Sequence, residues 1–129
     1  MPQLAKGGKC VFGWVVVGHS HEIRVPPEAW LEYGLQIQDD VLFTNGSRRS
    51  GGFGVGRREV LAGSPTLSRT WAEGTITKQG MISLPQSVDV HLGERLLVAR
   101  GSGLALGFLQ RGPIYDEAVK HPELEVFSV

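Results

Sequence analysis

Apolar runs of three to seven residues, broken by glycine, proline and asparagine, recur along the chain. Val11–Val17 is rich in β-branched and aromatic residues, which predicts a strand. Ile23-Arg24-Val25 alternates apolar and polar positions and predicts a second strand that stops at Pro26-Pro27. Proline cannot continue a ladder, but it suits the first turn of a helix, where its missing N–H costs nothing. Glu28 favours the dipole there, Trp30, Leu31 and Tyr33 form a short apolar stripe, and Gly34 ends the helix. Val41–Thr44 and Phe53–Val55 predict a hairpin around Asn45-Gly46, and Ala62–Ser68 reads as a linker.

The order then recurs. Trp71–Thr77 and Met81–Leu84 predict strands, the second again ending in proline, Pro85. Arg95–Arg100 and Leu104–Gln110 predict a hairpin around Gly101-Ser102-Gly103. Gly112-Pro113 opens a short helix, with Asp116 and Glu117 early and Lys120 late, and Leu124 and Val126 predict an edge strand. Ile23-x-Val25-Pro26 matches Ile82-x-Leu84-Pro85 at an offset of 59, Gly46-Ser47 matches Gly101-Ser102 at 55, and Gly54 matches Gly107 at 53. The lost residues fall in helix or loop, where a change of length does not turn a strand's core face to solvent. The expectation is one domain over 1–129, with internal repeats at about 11–59 and 70–112, a linker at 62–68 and a tail at 113–129.

The order of strand, loop, strand, proline, helix, Gly-Asp and hairpin resembles the AbrB/SpoVT-like swapped-hairpin family, which includes MazE-type antitoxins. In the first copy, IRVPPEAWLEYGLQIQDDVLF follows that family's spacing, with Asp39 at the aspartate position. In the second, GTITKQGMISLP and LGERLLVARGSGLALGF match at both ends, with Gly93-Glu94 at the Gly-Asp position and the helix shortened. The resemblance implies a mostly β chain: a small swapped-hairpin β barrel made by two halves of one polypeptide, with short helices. It also implies a DNA-binding transcriptional regulator or antitoxin-like protein. The family's DNA-gripping arginines are missing, however. Their positions hold His21-Glu22 and Gly80-Met81, and a further one falls on Val15 and Gly74.

Composition changes this picture little. Thirteen Lys/Arg balance thirteen Asp/Glu, so any hold on a polyanion needs a local patch. Residues 113–129 carry four acids against Lys120 alone, an acidic tail on a mildly basic body. Cys10 is the only cysteine, which excludes an intramolecular disulfide and fits a reducing, cytoplasmic setting. MPQLAKGGKC has no apolar stretch of signal-peptide length, and no run is long enough to span a membrane.

The basic stretch Asn45–Glu59 (NGSRRSGGFGVGRRE) is the most unusual. Arg48 and Arg49 in a hairpin loop, with Arg57 and Arg58 at the end of the return strand, are the candidate phosphate contacts, and Arg24 and Lys78 are possible additions. Ordinary solubilising charge is the competing reading of the same stretch. Gly52, Gly54 and Gly56 lack the Lys-Ser/Thr of a phosphate-cradling loop, so no nucleotide cofactor is expected. His19 and His21 alone do not make a metal site, and no catalytic order stands out, so neither metal nor enzyme activity is expected. Two functions remain: DNA binding through the basic loop, or a protein-binding or self-assembling module on the same scaffold.

Overall fold

The computed structural model describes residues 10–101 and 104–128. Residues 1–9, the Ser102-Gly103 pair expected in the second hairpin turn, and Val129 lie outside them. In chain order the elements are β1 (Val11–Val16), β2 (Glu22–Arg24), α1 (Pro27–Glu32), β3 (Asp40–Asn45), β4 (Phe53–Arg57) and α2 (Arg58–Leu61). A 3-10 turn over Pro65–Arg69 leads to β5 (Thr70–Thr75), β6 (Met81–Ser83), β7 (Arg95–Arg100), β8 (Leu106–Leu109), α3 (Pro113–Val119) and β9 (Val126–Phe127). The chain is mostly strand with short helices, as the sequence predicts.

Seven strands form one mixed sheet in the order β5-β3-β4-β8-β7-β1-β9, and β2 pairs with β6 in a separate ribbon. The sheet is open. β5 and β9 are both edges, so the closed barrel expected from the resemblance is not what the ladders make. The ribbon covers one face instead, because tight turns after β1 and β5 carry the chain across it, and Ile23 and Ile82 pair at its centre.

Partner choice crosses between the halves. β1 pairs with β7, β5 with β3, β2 with β6 and β4 with β8, while β3–β4 and β7–β8 are local hairpins. β1 skips Phe12 in its pairing with β7, and β5 skips Trp71 in its pairing with β3, so both ladders carry the same bulge. The main core draws on both halves: Val15, Ile23, Phe43 and Val55 pack with Ile82, Leu96, Leu106 and Phe108. Since strand side chains alternate, the opposite face of β1, β7 and β8 buries Val11, Trp14, Leu97 and Leu109 beneath Ala118 of α3 and Leu124.

α1 ends as its sequence predicts. Gly34 at φ 62° lets the Gly34 and Leu35 amides bond back to Leu31 and Trp30, which satisfies the last carbonyls. Its stripe is narrower than expected, since Leu31 is 80% exposed and Ala29 is the residue fully buried. The second half has no helix after Pro85; Val88 and Val90 turn into the core in an irregular segment. With four residues fewer between proline and hairpin, about one helical turn is missing there. The expected linker is partly helical, and Leu61 of α2 sits over Gly56, where a Cβ would meet it at 2.8 Å.

Candidate functional site

The β3–β4 loop is built from its serines and glycines. Ser47 Oγ lies 2.6 Å from Ser50 Oγ and accepts the Ser50 amide at 3.1 Å. Gly51 and Gly52 then take positive φ, 63° and 71°, which reverses the chain into β4. The loop is fastened to the end of β8. The Gln110 and Arg111 amides both donate to the Ser50 carbonyl, at 2.9 and 3.0 Å, and the Gly52 amide donates to Gln110 Oε1 at 2.9 Å. Arg111 Nη2 donates to the Arg48 carbonyl at 3.1 Å. The exposed Arg48, Arg49 and Arg111 therefore share one end of the sheet.

Arg57 and Arg58 do not join them. Asn45 pairs with Phe53 at the loop end, whereas Val41 pairs with Arg57 at the far end. Four residues of strand rise separate the two ends by about 13 Å, so the expected patch of four arginines does not form. Both far-end arginines are also ion-paired. Arg57 donates to Asp39 at 3.0 Å and to Glu59 at 3.1 Å, and Arg58 meets Glu73 at 3.0 Å. Arg100 at that end forms a two-point pair with Glu32, at 2.9 and 2.6 Å, and this bonding holds the Glu32 carboxyl below its usual range. Arg24 donates to the Ser128 carbonyl at 3.0 Å and borders an apolar groove with Trp30, Leu31 and Phe127. Lys78 is exposed in the β5–β6 turn, beyond Thr75 and so away from the loop.

Two arginines that the sequence reading passed over belong with Arg48 and Arg49. Arg111 arrives through the register of β4 on β8, which no local signal announces. Arg69 is exposed one residue before Thr70, the partner of Thr44, and so stands at the same end. Among the described residues, Arg48, Arg49, Arg69 and Arg111 have no carboxylate partner. His21 Nε2 lies 3.1 Å from the Pro85 carbonyl, so this ring is engaged in joining the two halves.

No protein-family model, no curated protein and no solved structure matches this chain. Among the described residues, no helix is long and apolar enough to cross a membrane.

Proposed function

We propose that the chain is a nucleic-acid-binding regulator or antitoxin-like protein built from two fused AbrB/SpoVT-type copies, gripping the phosphate backbone at the Arg48-Arg49 loop. Several matched details support the reading of two copies. The strand partners are exchanged, and the bulges at Phe12 and Trp71 correspond at the offset of 59. His21 and Gly80, again 59 apart, share positive φ, as do Gln38 and Gly93, 55 apart. Asp39 accepts the Gln36 amide and Arg57, and Glu94, at the same offset of 55, accepts the His91 amide and Gln110.

One observation carries the functional reading: among the described residues, the arginines at the loop end lack carboxylate partners, while those at the far end are paired. A guanidinium without a carboxylate keeps its donors for phosphate. The site differs from that of the resembled family, whose arginine positions hold His21-Glu22 and Gly80-Met81, where a turn enters β2 and β6. About three neutralised phosphates give a slope of log K on log salt near −2.7. Anisotropy of a labelled 20-base-pair duplex across a salt series tests this. The double change Arg48→Ala, Arg49→Ala is expected to lower the slope by about 1.8 and to weaken all sequences alike. Binding that ignores this change sinks the site. The exposed Leu31 beside the groove of Val25, Trp30 and Phe127 favours the second reading, a protein-binding or assembly module, and absence of duplex and single-strand binding at about 50 mM salt would select it.

A further inference from the structure

A cavity of about 100 Å³ opens on the sheet face away from the main core, beside the basic loop. Its floor is the register pair Gly54–Gly107, where β4 meets β8; Thr44 and Ala105 stand over Gly54, and Gly107 is the barer of the two. Glycine within a strand marks a place where another group approaches the backbone closely. Thr44 lines the wall and is 8% exposed, and its hydroxyl lies over Gly54, where a Cβ would collide with it. That hydroxyl makes no side-chain hydrogen bond among the described residues, and since none of their buried side-chain polar atoms is left unpaired, it is reached from the open cavity. A hydroxyl open to the cavity keeps its donor and its acceptor for whatever enters. Asn45, Ser47 and Ser50 add neutral donors and acceptors at the rim.

Among the described residues no ionisable side chain lines the cavity, so its chemistry suits a neutral ring with a polar edge and not the phosphate itself. A cavity of about 150 Å³ takes a benzene ring, and this smaller one is open at its mouth, so a ring can enter part-way. Arg48 and Arg49 lie in sequence between Ser47 and Ser50, both of which line it. A ring in the cavity therefore leaves its attached sugar and phosphate beside those two guanidiniums. We propose that the cavity receives the base of one unpaired nucleotide whose phosphate lies on Arg48 and Arg49, so that the protein prefers single-stranded nucleic acid to duplex. The proposal rests on the phosphate-binding reading above and adds the state of the strand. A base inside a duplex cannot reach the floor without leaving its stack.

The test compares a labelled 20-nucleotide DNA strand, the RNA strand of the same sequence and the DNA duplex, each titrated with the full chain at one salt concentration. The expected result is that at least one single strand binds about tenfold more tightly than the duplex, within the range for one held base. Thr44→Val removes the hydroxyl at nearly constant shape, and Gly107→Ala puts a methyl on the floor with its nearest neighbour, the Ala99 carbonyl, at 3.3 Å. Both changes should bring single strands down to duplex affinity and leave the duplex unchanged, whereas Arg48→Ala with Arg49→Ala weakens every probe. Whether DNA or RNA responds more to Thr44→Val identifies the strand. Equal affinity for duplex and single strands, or a preference untouched in both cavity variants, overturns this inference while the phosphate-binding reading stands. No binding to any probe overturns both.

Discussion

Gln38 holds a backbone conformation that its side chain disfavours. Its φ is 68°, in the left-handed region, and Gly93, before Glu94 as Gln38 is before Asp39, takes the same region at 83°. The strain is retained because the Gln38 amide donates to the Ile76 carbonyl at 2.8 Å and the Asp39 carboxylate fixes the turn through Gln36. Gln38→Gly should therefore stabilise the fold by about 0.5–1 kcal/mol, the relief of the left-handed penalty less the added freedom of the unfolded chain. A urea midpoint at or below that of the parent would contradict it. At this scale the sequence is informative about turns and poor on charges. Gly34 is readable as a helix stop, but Glu73 meets Arg58 from β5, and Asp39 meets Arg57 only because the β3–β4 register brings the start of one strand to the end of the other. The separation of Arg48-Arg49 from Arg57-Arg58 was readable, because a five-residue strand between them sets them at opposite ends.

Among the elements, the C-terminal tail shows most directly how packing decides what sequence only suggests. α3 runs from Pro113 to Val119, close to the expected span. Tyr115 meets Trp14 edge-on at 5.0 Å, and its hydroxyl donates to the Arg95 carbonyl at 3.3 Å. The strand after it lies parallel to β1, where the Trp14 amide donates to the Glu125 carbonyl at 2.9 Å. That approach needs Gly13, since a Cβ there would stand 2.7 Å from the same carbonyl. Leu124 is buried and Phe127 half-buried, but Val126 is 40% exposed, because alternation along a strand turns it outward. Deleting residues 113–129 uncovers Trp14, Leu97 and Leu109 together, at about 1.5–3 kcal/mol for each large side chain returned to water. The truncated chain should lose most of its stability in thermal and urea unfolding, and an unchanged midpoint would show that the tail is an ornament. Short pieces escaped the sequence for a plain reason: the four residues of α2 are too few to show a helical period.

At the scale of the whole molecule the halves are interlocked. The first half alone would keep β3 and β4 paired, but β1, β2 and the outer side of β4 would lose β7, β6 and β8. Residues 1–64 alone should therefore be unfolded or self-associated, and a monomeric, well-dispersed NMR spectrum from that fragment would refute the interlock. Pairing across the halves was foreseeable only through the resemblance to a swapped-hairpin family, since no local signal in either half names its partner strand. Nothing in the sequence showed the sheet staying open, since whether edges meet depends on curvature accumulated over seven strands.

The joining of both halves in one polypeptide has a consequence for symmetry. A pair of identical subunits related by a two-fold axis must display every charge twice, and so looks the same from either approach. Here the loop over Gly46–Gly52 carries Arg48 and Arg49, while the matching stretch after Gly101 carries no arginine, and Arg111 bonds a backbone carbonyl where Arg58 is paired with Glu73. On the reading of two fused copies, covalent linkage has released the twins from resembling one another. The molecule acquires a head and a foot, and a polymer that has a direction of its own can then be held in one orientation and refused in the other.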